Sequence, residues 1–257
     1  MSTRKIHPTA VVDPRAELGE GVEVGPYAVV GAGVQLGRGT RLLSHAVVEG
    51  PAQLGEENVV HPFAVIGGAP QHKRQPAGAS SRLVVGDRNV FREHVTVHRG
   101  TDGRATTLGS HNLLMVGVHV AHDVSVGSSV TIANGVQLAG HTVIADHATF
   151  GGLAGLAQFV RVGESAFVAA GAMCEKDVPP FVIVQGDRAR VRALNVVGLR
   201  RRGVPEESIA ALRLAFRAVF GGEGPRARAL AGIARGDRFV EAFVAALERA
   251  PKGQASP

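Results

Sequence analysis

LMVGVH VAHDVS VGSSVT IANGVQ LAGHTV IADHAT FGGLAG LAQFVR VGESAF VAAGAM C, residues 114–174, returns to an apolar residue at every sixth position: Leu114, Val120, Val126, Ile132, Leu138, Ile144, Phe150, Leu156, Val162, Val168 and Cys174. A period of six drifts around a 3.6-residue helical wheel and forms no stripe, so the segment is not an amphipathic helix. The same register extends towards the N-terminus. It runs from Ile6 through Val12, Leu18 and Val24 to Ile66, returns at Val85, Phe91 and Val97 after a break, and resumes at Leu108 after a second; all 26 positions are apolar. Glycine often follows the aliphatic residue, as at Gly19, Gly25, Gly109, Gly151 and Gly163, which suits a sharp corner with positive φ. The fourth residue after it is small or β-branched, as in Ala10, Ala16, Val22 and Ala28.

Such hexads build a parallel β-helix: each is one short flat face, three faces close a coil, and the aliphatics stack in columns inside. The repeats predict a prism about 40 Å long at the usual strand spacing. Aliphatic stacking also accounts for a chain with no Trp, a single Tyr and 4% aromatic residues. Residues 68–84 (GAPQHKRQPAGASSRLV) and 98–107 (HRGTDGRATT) break the register and predict loops expelled from the prism, where binding residues commonly sit. The β-helix is expected over residues 1–180, and a small α-helical domain over 181–257. Its helical pattern begins after Asn195: Pro205, Glu206 and Glu207 suit a first turn, and Ile209, Leu212, Phe216 and Val219 share a face. GGEG (221–224) breaks the pattern, Phe239, Val240, Phe243, Val244 and Leu247 form a second apolar face, and the tail from Ala250 is expected to fray.

With 28 Lys plus Arg against 22 Asp plus Glu, the chain carries a formal charge of +6. A single cysteine, Cys174, excludes an intramolecular disulfide and suits a reducing compartment. No apolar run reaches the roughly 18 residues of a membrane span, and the start MSTRKIHPTA lacks the apolar stretch of a signal peptide. These features predict a cytoplasmic protein without membrane insertion.

At 18 residues per coil, His122, Gly140 and Gln158 fall in one column, with His141 one residue beyond Gly140 and His119 three before His122. In HVAHD an imidazole is followed by a carboxylate able to fix its tautomer, the arrangement a general base requires. A glycine N–H in the column can approach a developing oxyanion. Any one of 11 histidines on a solvated surface is ordinary; the stacked set is what separates His122 from His94, His98 and His147.

VTVHRG (95–100), LLM (113–115), VAHD (120–123), LAGH (138–141), DVPP (177–180), VQG (184–186) and GLRRRG (198–203), in this order and spacing, resemble the UDP-N-acetylglucosamine O-acyltransferase family, which opens lipid A biosynthesis. The likeness runs from IHPTA (6–10) into the helical tail. It implies a left-handed coil, a homotrimer with the site between adjacent subunits, and transfer of a 3-hydroxyacyl chain from acyl carrier protein to the sugar 3-hydroxyl. His122 would be the general base, Asp123 its orienting partner and the Gly140 N–H the oxyanion donor. His119 and His141 would line the cleft. Gln71, Gln158, Asn195, Arg201 and Arg202 would contact the nucleotide sugar, with Lys73 and Arg74 joining the two arginines at the diphosphate. Ala170 would limit the depth of the acyl groove. No metal, cofactor or covalent intermediate is called for. Arg200, Arg201 and Arg202 with Arg188, Arg190 and Arg192 offer a surface to the acidic carrier protein, and the aromatic interleaving of a nucleic-acid module is missing.

Three positions depart from the family pattern. Ala157 stands where a histidine usually precedes the glutamine, His72 where the loop usually has aspartate, and Val197 where a glutamate is frequent. They leave open an N-acyltransferase acting on a 3-amino UDP-sugar, or a nonenzymatic sugar-nucleotide-binding scaffold. A three-histidine zinc site, as in β-helical carbonic anhydrases, does not match the spacing of HVAHD.

Overall fold

The computed structural model describes residues 5–73, 80–101, 103–222 and 225–249; Arg74 and the tail beyond Arg249 lie outside them. Among the described residues short strands form three sheets of 11, 9 and 8 members, and up to Met173–Cys174 each strand after the third pairs with the one three places before it. Lys5 pairs with Glu23, Val11 with Val29 and Glu17 with Gln35, each pair one turn of the coil apart. The result is a left-handed parallel β-helix, and the hexad aliphatics fill it. All of them are buried except Ile6 and Val12, which belong to the first coil and have no coil above them.

The corners are built differently from the glycine reading. Positive φ falls three residues after the aliphatic, on residues such as Tyr27 (φ 57), His45 (φ 61), Asp123 (φ 61), His141 (φ 62) and Ser165 (φ 52). The glycines that follow the aliphatic serve close approach instead. A Cβ on Gly37 would stand 2.4 Å from a carbonyl carbon of the next coil, and one on Gly151 2.4 Å from the Ala170 nitrogen. Gly67 (φ 85) is an exception that does take the left-handed conformation.

Both insertions are shorter than expected, because their ends lengthen the flanking strands: Val65–Gly68 and Arg82–Val85 for the first, Thr96–His98 and Ala105–Leu108 for the second. The lengthened strands pair with each other, Arg82 with Ala105 and Leu83 with Thr106.

Residues 181–194, expected in the helical domain, form two strands joined by a turn. Val182–Gln185 joins the first sheet beside Phe167–Val168, and Arg190–Leu194 turns back antiparallel on it. The short apolar run FVIV (181–184), rich in β-branched residues, favours a strand that covers the last coil. Four helices follow: α1 (Val196–Arg201), α2 (Glu206–Phe220), α3 (Arg226–Ala231) and α4 (Arg238–Glu248). They pack through Leu199, Ile209, Leu212, Leu230, Phe243 and Val244. Asp237 caps α4 by accepting from the N–H groups of Phe239 and Val240. Among the described residues no helix is long and apolar enough to cross a membrane.

Candidate active site

The corner between the second and third sheets carries His122–Asp123, Gly140–His141 and Gln158–Phe159 on successive coils. Its hydrogen bonds converge on Asp123. The His122 Nδ1 stands 2.8 Å from Asp123 Oδ2. Thr101 donates its N–H to Oδ1 at 3.0 Å and its hydroxyl to Oδ2 at 2.8 Å, and the Asp123 N–H donates to Thr106 Oγ1 at 2.9 Å. Burial works to raise the Asp123 pKa, but the bonds from His122 and Thr101 hold the carboxyl below its ordinary 3.8. An ionised Asp123 accepts from Nδ1, which fixes the imidazole proton there and leaves the Nε2 lone pair available as a base.

Gly140 lies against this ring. A Cβ in its place would meet His122 Cε1 at 2.8 Å and Nε2 at 3.1 Å, so only glycine lets the base sit where it does. The Gly140 N–H meets no acceptor among the described residues. A buried, unspent donor beside a base is an oxyanion hole in waiting.

His141 stacks on Phe159 at 4.7 Å and 5° and turns its Nε2 to within 3.6 Å of Asp123 Oδ2. Burial lowers its pKa below 6.5, against the pull of Asp123. His119 accepts from or donates to Thr96 Oγ1 at 2.9 Å, and burial, then the neighbouring His98, lower its pKa too.

A groove of about 460 Å³ opens on these residues, lined by Gln71, His119, His122, Gly140, Gln158 and Met173 among others. Gln71 comes from the first insertion, whose next residue, His72, sets its ring edge-on to His122 at 5.3 Å. Neither Thr101 nor this placement of His72 was legible in the sequence: both lie in insertions that break the hexad register, and Thr101 had only its place after VTVHRG to mark it. Cys174 also lines the groove, but burial pushes its thiol up to about 12, so it stays protonated and is no nucleophile.

Asn195, Arg201 and Arg202 are elsewhere. They line a second groove of about 600 Å³ with His147, Ser165 and Val197, at the corner between the third and first sheets. Two of them have structural duties. Asn195 caps α1, its Oδ1 accepting from Gly198 N at 3.1 Å, while its Nδ2 donates to the Ser165 carbonyl at 2.9 Å. Arg202 pairs with Glu164 and donates to Ser165 Oγ at 2.9 Å. Arg201 is exposed and in no ion pair among the described residues. Lys73 is exposed in a turn of the first insertion. Ala170 is exposed at the remaining corner, between the first and second sheets, beneath Gly152.

A left-handed prism of hexapeptide coils, with an oriented histidine and a free glycine N–H on a groove, defines a hexapeptide-repeat acyltransferase. The comparisons narrow the class. Residues 177–254 match the model for domain 2 of UDP-N-acetylglucosamine O-acyltransferase. The chain is 43% identical over 254 residues, 96% of each protein, to the acyl-[acyl-carrier-protein]–UDP-N-acetylglucosamine O-acyltransferase of Stenotrophomonas maltophilia (strain R551-3). It is 50% identical over 218 residues, 84% of each, to that of Alkalilimnicola ehrlichii. The solved Francisella novicida UDP-N-acetylglucosamine acyltransferase superposes with a TM-score of 0.94 at 33% identity, over 98% of this chain and 94% of that one. The Moraxella catarrhalis enzyme gives 0.92 at 35%, over 97% and 99%. The chain belongs to the UDP-N-acetylglucosamine O-acyltransferase family.

Proposed function

We propose that this protein transfers a 3-hydroxyacyl chain from acyl carrier protein to the 3-hydroxyl of UDP-N-acetylglucosamine, the first step of lipid A biosynthesis. The observation that carries the mechanism is the His122–Asp123 pair at 2.8 Å with the unspent Gly140 N–H against the same ring. The His122 Nε2 removes the hydroxyl proton as the oxygen attacks the thioester carbonyl. Asp123 stabilises the imidazolium that forms, and the Gly140 N–H takes the negative charge of the tetrahedral intermediate. The imidazolium then returns its proton to the departing thiolate. His119, His141, Gln71 and Gln158 line the acceptor and acyl cleft, and Ala170, at the far edge of the second sheet, limits how far an acyl chain lies across it.

The second groove joins this reading through a homotrimer. Outward residues of the first and second sheets include half-buried apolar ladders, Val59, Val90 and Leu113 on one and Val29, Val47 and Val65 on the other, whereas the third is mostly polar, presenting Glu17, Gln35, Gln53, Thr107 and Ser125 with Val84 and Val143 among them. Three prisms that pack first sheet on second close a ring and leave the third sheet in water. Each His122 corner then faces the Arg201 corner of its neighbour on the same coils, so Arg201, with Lys73, meets the diphosphate of the bound nucleotide. The exposed Arg188, Arg190, Arg192 and Arg200 offer a basic surface to the carrier protein, while Arg202 is half-buried against Glu164.

The test is a mass-spectrometric transfer assay with mixed 3-hydroxyacyl carrier proteins and UDP-N-acetylglucosamine beside its 3-amino analogue. An ester product is expected; amide alone would overturn the acceptor, and no product would favour a binding scaffold. An Ala170→Gly variant that leaves the chain-length distribution unchanged would remove that residue from the reading.

A further inference from the structure

The residues around Asp123 form a metal-donor set. One donor atom from each of His122, Asp123 and His141 lies within 4.8 Å of the other two. The His122 Nδ1 is 2.8 Å from Asp123 Oδ2, and the His141 Nε2 is 3.6 Å from the same oxygen. Donors of a tetrahedral zinc ion, each at about 2.0–2.1 Å from the metal, stand roughly 3.3 Å apart; the two pairs that include Asp123 lie close to that separation, and the two imidazoles are within 4.8 Å of each other. HVAHD alone does not make it: the third ligand comes from the next coil.

The set is also held in advance. Asp123 and His141 both occupy left-handed corners of a rigid ladder, at φ 61 and φ 62. Phe159 fixes the plane of the His141 ring, and Thr101 holds the carboxylate through two hydrogen bonds that an ion on Oδ2 need not break. Such outer contacts are what orient ligands in metal sites. Two imidazole nitrogens and one carboxylate oxygen suit Zn²⁺ or Co²⁺ better than Mg²⁺ or Ca²⁺. His122, one member of the set, lines the groove.

We propose that this corner binds Zn²⁺ or a similar divalent transition-metal ion through His122, Asp123 and His141, and that the ion and acyl transfer exclude each other. The exclusion follows from the ring's chemistry. An ion on Nε2 takes the lone pair that serves as base. An ion on Nδ1 displaces the proton towards Nε2, with the same loss, and also replaces the hydrogen bond to Asp123. The inhibitory consequence rests on His122 being the base; the binding does not.

The experiment titrates the full-length, untagged protein with Co²⁺ and follows the visible absorption of the four-coordinate ion, then displaces it with Zn²⁺. One ion per chain is expected, with affinity falling at least about tenfold in His141→Gln, on the scale of losing a ligand contact, and unchanged in His45→Gln, at a distant corner. Zn²⁺ should abolish transfer over the concentrations at which it displaces Co²⁺, and chelation should restore it. No stoichiometric Co²⁺ binding, or His141→Gln binding as tightly as the parent, would overturn the site. Stoichiometric Zn²⁺ with full transfer would overturn the exclusion. A protein that binds Co²⁺ as described yet transfers to no acceptor supports the metal site and sinks the catalytic reading instead.

Discussion

The corner carrying His122 and the corner carrying Arg201 are folded from the same hexapeptide, yet one is finished within the chain and the other is not. At the first, Asp123, Thr101 and the His122 Nδ1 satisfy one another, the Gly140 N–H meets no acceptor among the described residues, and His122 and Gly140 line one groove. At the second, Asn195 and Arg202 spend their polar atoms on Ser165 and Glu164, and Arg201 is left with a free charge. The difference teaches where each function resides. On the proposed function, proton transfer needs a closely fixed geometry and sits on one rigid ladder, whereas holding a diphosphate needs only charge at a suitable place, which a neighbouring subunit would supply.

The largest effect is expected where the finished corner is broken. His122→Ala should lower kcat about 10²–10⁴-fold, the range for loss of a general base, with the fold retained. Activity within a few-fold of the parent would end the assignment. Gly140→Ala attacks the same corner from the other side: its methyl would need the space of the imidazole, 2.8 Å from Cε1. Loss of about 10²-fold in kcat is expected, with nucleotide-sugar binding retained in calorimetry, since displacing the ring costs both base and oxyanion alignment.

The unfinished corner should split. Arg201→Ala is expected to raise KM for the nucleotide sugar about tenfold, the value of one charge-assisted contact, and to leave kcat and stability alone. Arg202→Ala should instead lower the melting temperature, because it strands the half-buried Glu164 and the Ser165 hydroxyl, a cost of about 1–3 kcal/mol. If the two variants behave alike, the division between structural and binding arginines fails.

How far these corners could be read in advance follows from the same contrast. The prism was legible because one inward aliphatic per hexad repeats a single physical demand, and the grouping of His122 with Asp123 and Gly140 because the carboxylate is the next residue and the glycine sits one coil away. Thr101 and His72 escaped because the insertions that carry them interrupt the register, and a column cannot be drawn through a gap. The duties of Asn195 and Arg202 escaped for a different reason: their partners lie on the prism 30 and 37 residues earlier, and no periodicity links a helix to a corner. The glycines were misread because φ > 0 and close approach both favour glycine, and only coordinates separate them.

The smallest effect concerns pH and sharpens the comparison without touching catalysis. Burial lowers the pKa of His119 and His141 at the finished corner, and of His147 at the other, where the charge of Arg202 adds to it. For a group whose pKa is lower in the folded state, the unfolded chain takes up protons first, so stability is lost as pH falls from the ordinary 6.5 towards the folded values. Asp123, held below 3.8, contributes nothing to that window and loses its share only in stronger acid. The melting temperature should therefore decline between pH 7.5 and 5. His119→Gln combined with His141→Gln should flatten the decline more than His147→Gln does, since two of the three half-buried imidazoles crowd the His122 corner. A slope unmoved by the double variant would mean that these rings are charged in the fold as readily as in the unfolded chain, and that the groove around His122 is wetter than its packing indicates.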